Sequence, residues 1–283
     1  MPSVVITGVS TGIGHACAKM LLAKGFRVFG SVRKEADAAR LQAEFGPSFT
    51  PLIFDVTDEA AVHRAAGEVR AALSGEKLAG LVNNAGIAVS GAVVDLSPED
   101  FRRQFEVNVI APIVATQAFA PLLGMDTSLR GAPGRIVMMS SIAGKFGNPL
   151  MAAYSASKHA LNGLSDGLRR ELMLFGIDVV IIMPGAVKTP IWGKAEQEDI
   201  SKYVGSPFYP ALQKIRAMLP QMDASGLPPE TIAEHVYDAL TSPKPKAHDV
   251  ITPGPMRFWL STKLPPRIVD KIVAKRLGLK LNK

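Results

Sequence analysis

The sequence predicts an α/β fold, a doubly wound parallel seven-stranded sheet in a single domain. Three observations predict it. Short Val/Ile/Phe-rich runs alternate along the chain with Ala/Leu/Glu/Arg-rich stretches of helical length. The runs are continuously apolar and bounded by Gly, Pro or Asn, as strands covered on both faces should be. A glycine-rich turn joins the first strand to the first helix. Alternating β and α with right-handed crossovers places helices on both faces of one sheet.

In order, Met1-Pro2-Ser3 leads straight into a strand near 4–7, followed by a helix near 12–24. Strands near 27–32 and 49–54 flank a helix near 34–45, and a helix near 58–73 leads to a strand near 78–82. A long helix is expected near 98–123, then a strand near 134–139, a helix near 154–175 and a strand near 177–183. A helix near 229–241 and a strand near 248–252 complete the alternation. The pattern breaks between Lys188 and Gly226, where there is no strand-like run but Trp192, Tyr203, Phe208 and Tyr209. Insertions of that length are usually functional, so 188–226 is expected to be a mobile substrate lid with these aromatics as apolar walls. A rigid packing excursion is the alternative. Residues 255–283 form a Pro-interrupted C-terminal extension.

Composition narrows the class. Of 283 residues 47% are hydrophobic and 20% charged, so a large core is available and a disordered chain is excluded. A single cysteine, Cys17, excludes a disulfide framework and any multi-Cys zinc site. The net charge of +7 has one address: residues 257–283 hold eight basic residues against Asp270 alone. Residues 1–256 are neutral, so no nucleic-acid partner is expected. No charged leader precedes the first strand, and the longest clean apolar run, Val179–Met183, is too short to cross a bilayer. A cytoplasmic location is expected.

Residues 7–14 read Thr7-Gly8-Val9-Ser10-Thr11-Gly12-Ile13-Gly14. Glycines between strand and helix let the backbone approach a pyrophosphate, which the helix N-terminus then binds. Gly8, Ser10, Thr11, Gly12, Ile13 and Gly14 are therefore candidate dinucleotide contacts. A turn that merely tightens packing is the bland alternative. The same residues also fit G-x-S-x-G, which would make Ser10 the nucleophile of a serine hydrolase. That reading needs an earlier oxyanion-hole strand and a partner histidine, and no motif surrounds any of the five histidines.

The second strand ends Gly30-Ser31-Val32-Arg33-Lys34, with no acid before Glu35. An NAD site usually places an acid there for the ribose 2′-hydroxyl, whereas an NADP site places Arg nearby for the 2′-phosphate. Arg33 and Lys34, aided by Ser10 or Thr11, favour NADP(H). NAD remains the alternative if Glu35 takes the ribose.

Tyr154 and Lys158 are one helical turn apart in Tyr154-Ser155-Ala156-Ser157-Lys158. A phenol titrates near a pKa of about 10, and a neighbouring ammonium is expected to lower it, each unit being about 1.4 kcal/mol. Such a phenol suits general acid/base work during hydride transfer. An ordinary helix with a packed Tyr and a surface Lys is the alternative. Ser141 closes the strand before it, and Asn83-Asn84-Ala85-Gly86 closes another, at the strand ends where open α/β sheets bind ligands.

These motifs together resemble the NAD(P)-dependent short-chain dehydrogenase/reductase family, over nearly the whole chain to about residue 254. T-G-x-x-x-G-I-G at 7–14, N-N-A-G at 83–86, Asn108, Ser141, Tyr154-x-x-x-Lys158 and Pro184-Gly185 carry the resemblance. It implies a Rossmann fold with Tyr154 as acid/base and Ser141 binding the substrate oxygen. Lys158 would lower the tyrosine pKa and hold the nicotinamide ribose, and Asn108 would hold a relay water. Asp55, Val56, Asn84, Ala85 and Gly86 would contact the adenosine half. Pro184, Gly185, Val187 and Thr189 would position the nicotinamide. A homodimer or homotetramer is also implied, and a non-catalytic NAD(P)H-binding regulatory relative is the alternative.

Phe26–Arg33 and the tail from Met256 to Asp270 are similar, more loosely, to the steroid and retinol dehydrogenase branch. That similarity implies a hydrophobic alcohol or ketone, steroid-, retinoid- or lipid-like. In the tail, Leu260, Leu264, Ile268, Val269, Ile272, Val273 and Leu277 offer an apolar face among lysines. Packing on the body or on a partner subunit, anchored by Phe258 and Trp259, is preferred. Peripheral membrane contact is the second route.

Overall fold

The computed structural model describes residues 1–190, 193 and 199–279. Trp192, Lys280 and Lys283 lie outside the described residues. Seven strands form one all-parallel sheet in the order β3-β2-β1-β4-β5-β6-β7. They are β1 (Ser3–Ile6), β2 (Arg27–Val32), β3 (Phe49–Ile53), β4 (Gly80–Asn83), β5 (Arg135–Met139), β6 (Asp178–Pro184) and β7 (His248–Ile251). The order reverses between β1 and β4, because β2 and β3 extend one way and β4 to β7 the other.

The period of two along each strand divides the core. Val4, Ile6, Val28, Val137 and Val180 face one layer, where α1 (Gly12–Ala23), α2 (Glu35–Phe45) and a later helix, Pro229–Thr241, bury Cys17, Leu41 and Val236. Val5, Phe29, Leu81, Ile136 and Val179 face the other, against α3 (Glu59–Leu73), α5 (Ala111–Ala120) and α6 (Ala152–Leu172). Gly30 faces the first layer, and a Cβ there would lie 2.6 Å from both the Phe49 ring and Val9. Pro51 sits within β3, which tolerates it as an edge strand. Burial pushes the Cys17 thiol up to about 12.

The sequence reading needs three corrections. The helix expected at 98–123 is interrupted: α4 (Pro98–Phe105) runs into a π-helical turn at Glu106–Ile110, then α5, then a second such turn at Pro121–Met125. The whole stretch Pro98–Met125 is long and apolar enough to cross a membrane, but 67% of its most apolar window is buried in this fold, as in a core helix. The insertion at 188–226, expected as a lid without a strand and with no helix assigned, holds a 16-residue helix, α7 (Tyr209–Ala224), before α8 (Pro229–Thr241). Its Tyr203, Phe208 and Tyr209 pack with Ala92, Leu150 and Leu212 in a small separate core.

The tail forms α9 (Pro255–Ser261) and α10 (Pro266–Leu277), and its apolar residues do not share one fate. Leu277 and Val273 pack into the small core, whereas Leu260, Leu264, Ile268 and Ile272 are exposed. The continuous apolar face read from the sequence is therefore two faces.

Candidate active site

The parallel sheet brings the carboxyl ends of β1, β4, β5 and β6 to one edge, at the reversal of strand order. In open α/β sheets that is where a crevice opens. The glycine turn lies there and is braced from below. Asn84 donates from its side-chain amide to the Thr7 and Gly8 carbonyls at 2.8 and 3.0 Å. The Thr7 hydroxyl accepts the Asn84 and Ala85 backbone N–H groups, both at 3.0 Å. Gly8 donates to the Ser31 hydroxyl at 2.9 Å, tying the turn to β2.

Two glycines there are required by geometry. Gly8 has φ +72°, a left-handed conformation that disfavours side chains. A Cβ on Gly14 would sit 2.2 Å from the Gly8 carbonyl oxygen. Thr11 caps α1 without a side-chain hydrogen bond, and the helix has no acid in its first turn. Its positive end is thus left for an anion. From across the crevice Thr189 approaches Gly12, its Cγ2 lying 3.3 Å from where a Cβ would be. Gly185 donates to Ile251 at 2.8 Å and Val187 pairs with Leu227, which fixes the segment after Pro184. Side chains at Gly8 or Gly14 would close the turn against the end of α1, whereas glycines leave the backbone N–H groups open to a diphosphate.

At the far end of the turn, Arg33 faces Asp55 at 3.8 Å, and both side chains are exposed. Asp55 also accepts the Thr57 hydroxyl at 2.8 Å. Sequence reasoning overlooked Arg40, which donates to the Ser10 carbonyl at 2.8 Å from α2. No hydrogen bond between Ser10 and a histidine is found among the described residues. His15 binds Glu44, His159 binds the Ser155 carbonyl, His235 binds Asp249 and His248 binds Asp166. These four histidines are engaged elsewhere and none serves Ser10 as the base that the hydrolase reading of G-x-S-x-G requires.

Ser141 follows β5 directly. Its hydroxyl accepts the Ala143 N–H at 3.1 Å, lies 3.4 Å from the Pro184 carbonyl, and bonds the Tyr154 hydroxyl. Tyr154 sits in the first turn of α6, and the Lys158 ammonium lies 5.8 Å from its ring centroid. Lys158 is buried and donates to the Met139 carbonyl at 2.8 Å. Burial pushes the Tyr154 phenol above its ordinary value, and the Ser141 hydrogen bond only partly opposes this. Burial also lowers Lys158 to about 8. In the free protein the Lys158 ammonium is directed at a strand-end carbonyl.

Asn108 lies in the first π-helical turn and is fully buried. Its carbonyl oxygen accepts the Ile87 N–H at 2.9 Å, and its amide donates to the Ile87 carbonyl and the Ser157 hydroxyl. Ser157 in turn donates to the Tyr154 carbonyl at 2.7 Å. Both amide hydrogens of Asn108 are committed to protein acceptors, so its side chain acts as a clamp. Gln104 was missed from sequence. It is fully buried one turn earlier, donates to the Ile87 carbonyl at 2.9 Å and accepts the Val89 N–H at 2.8 Å. Its four-residue spacing from Asn108 was the only available signal.

The described geometry joins two functions at one edge: a cradle for a dinucleotide and a Ser–Tyr–Lys set able to exchange a proton. Comparison with known proteins agrees. The short chain dehydrogenase family model matches residues 2–200. The chain is 39% identical over 274 residues to an NADPH-dependent 3-dehydrocapnine reductase of Ornithobacterium rhinotracheale, covering 96% of both chains. It is 32% identical to dehydrogenase/reductase SDR family member 7B of Bos taurus, over 96% of this chain and 80% of that one. A crystal structure of a short-chain dehydrogenase from Streptomyces avermitilis superposes with a TM-score of 0.76 at 26% identity, covering 99% of this chain and 98% of that one. The chain belongs to the short-chain dehydrogenase/reductase family and is an NAD(P)-dependent oxidoreductase acting on CH–OH and C=O groups.

Proposed function

We propose that the protein interconverts an apolar, lipid-like ketone and its secondary alcohol, with NADP(H) preferred over NAD(H). The Ser141–Tyr154 hydrogen bond at the crevice, with Lys158 one turn on, carries this reading. The bound nicotinamide would supply or accept the hydride. In reduction Tyr154 donates its phenolic proton to the substrate oxygen while the Ser141 hydroxyl donates a hydrogen bond to the same atom. In oxidation the proton returns to Tyr154. A phenol held above its ordinary pKa is protonated at neutral pH and so is poised as the acid of the reductive direction.

Gly8, Gly12 and Gly14 would admit the pyrophosphate to the positive end of α1, with Ser10, Thr11 and Ile13 beside it. Asp55, Val56, Asn84, Ala85 and Gly86 line the adenosine side of this reading. Lys158 would leave the Met139 carbonyl for the nicotinamide ribose, and Pro184, Gly185, Val187 and Thr189 would back the ring. The NADP preference is supported by exposed Arg33, by the lack of an acid at the end of β2, and by the 39% identical relative's printed name. The apolar substrate is supported by the small core of Ala92, Leu150 and Tyr203, in which Leu150 stands four residues before Tyr154. A cytoplasmic location and a homodimer or homotetramer belong to the same reading.

A panel of short, long and cyclic ketones, followed by nicotinamide absorbance with NADPH and with NADH, tests it. Faster turnover of long-chain ketones with NADPH supports the reading. Preference for small polar ketones or for NADH overturns the corresponding part.

A further inference from the structure

Among the described residues, the C-terminal helices present an exposed apolar face. Met256, Trp259, Leu260, Leu264, Ile268 and Ile272 are each between 41% and 71% exposed. Large apolar side chains exposed along two successive helices often mark a contact surface. The face is not a misfolded core. The opposite side of α10 already packs, with Ala274 and Leu277 buried against the α7 region. Basic residues flank the exposed side: Lys263, Arg267, Lys271, Lys275 and Arg276, with Asp270 as the one acid among them. Ile268 and Ile272 share a face at four-residue spacing, and Lys271, Lys275 and Arg276 border it.

We propose that the outward face of α9 and α10 docks on the surface of an anionic lipid bilayer. The charge pattern selects this occupant. A basic helix with large apolar residues on its free side lies in the interface plane, with lysine heads among the lipid headgroups. A second copy of the chain is a poor occupant, because a two-fold contact here would set two basic clusters against each other. The packed side of these helices, opposite the docked face, reaches toward the substrate region. Phe258 of α9 meets the Phe146 ring edge-on at 5.6 Å, five residues after Ser141. Leu277 of α10 shares the small core with Leu150, four residues before Tyr154. A bilayer on the exposed face would lie one helix thickness from the region that carries Ser141 and Tyr154. That consequence rests on the oxidoreductase reading above, whereas the bilayer contact itself does not.

The test is co-sedimentation of the full chain with phosphatidylcholine vesicles, with and without phosphatidylglycerol. Wild type is expected to sediment with the anionic vesicles alone and to be released by raised salt. Each basic residue near an anionic surface contributes roughly fivefold to partitioning. Lys263→Glu/Arg267→Glu/Lys271→Glu should therefore reduce binding by more than about 100-fold, and Ile268→Glu/Ile272→Glu should abolish it. Unchanged NADPH binding and thermal melting in both variants show that the fold is intact. No binding of wild type to anionic vesicles overturns the proposal, as does equal binding by the variants. Dissociation of an oligomer by Ile268→Glu/Ile272→Glu, with wild type indifferent to vesicles, overturns it in favour of a subunit interface. Vesicle binding without turnover of any ketone would instead leave the docking intact and remove the oxidoreductase reading's substrate.

Discussion

Gln104 and Asn108, one helical turn apart, donate to the same acceptor: the carbonyl oxygen of Ile87, at 2.9 and 3.0 Å. Each also accepts a backbone N–H from this segment, Val89 for Gln104 and Ile87 for Asn108. Two buried amides thus hold the chain that leaves β4 for the substrate region. Gln104→Ala should cost about 1–3 kcal/mol of stability, because it strands the Val89 N–H without a buried acceptor. Its effect on catalysis should appear mainly in the KM for the ketone. Chemical denaturation and steady-state kinetics together check this, and an unchanged KM would show the clamp to be structural alone.

Tyr154→Phe should keep the fold and NADPH binding while lowering kcat by about 10²–10⁴, the usual range for loss of a general acid. Ser141→Ala should lower kcat/KM by about 10²–10³ as a donor to the reacting oxygen is lost. It should also move the pH profile of alcohol oxidation to higher pH. The Ser141 hydrogen bond lowers the phenol's pKa, so its removal makes the phenolate base harder to form. Rapid kinetics and fluorescence titration of the nicotinamide read out both.

The lowered Lys158 pKa has a signed consequence for stability. Between about 8 and its ordinary value of 10.5 the folded state has lost the Lys158 proton while the unfolded state retains it. The unfolded state then binds more protons, so this group makes stability rise with pH across that window. The slope is about 1.4 kcal/mol per pH unit. Cys17 acts oppositely above its ordinary value of 9.0, since burial holds its folded pKa at about 12. Comparing wild type with Lys158→Met cancels the cysteine. The stability difference, measured in denaturant at several pH values, should rise in favour of wild type from about pH 8 and flatten above about pH 10.5.

Arg33→Ala should raise the KM for NADPH by about 10–100-fold, as expected for losing a hydrogen bond to a charged group. The KM for NADH should change little, because Arg33 meets Asp55 only at 3.8 Å across exposed surface and contributes little to the fold. Equal losses with both cofactors would assign Arg33 a role in shaping the site rather than in reading the phosphate.

The sheet was legible because every strand is a short apolar run that burial on both faces demands, and the glycine turn marks where the first crossover begins. Gly8 and Gly14 could be placed from sequence because φ +72° and a 2.2 Å approach leave few other residues possible. Gln104 could not, since glutamine has no chemistry that announces a clamp and its partners are backbone atoms. The π-helical turn around Asn108 was equally hidden, because five residues of i→i+5 bonding are too few to mark the hydrophobic pattern. In the tail the pattern named the apolar residues correctly but not their division. Which side of α10 meets the body depends on α7, a helix whose residues carry a proline at Pro220 and no clear strand or helix signal.

Cys17 gives the molecule an internal reporter. It is the chain's single thiol, lies wholly inside α1 beneath the sheet, and keeps its proton to about pH 12. A thiol-reactive dye can reach it only when that helix leaves the sheet. Labelling rate therefore measures how often the cofactor half of the protein opens, without any engineered probe. NADPH should slow that labelling in proportion to its occupancy, by the linkage between binding and folding. Opening confined to α9 and α10 should leave the rate untouched.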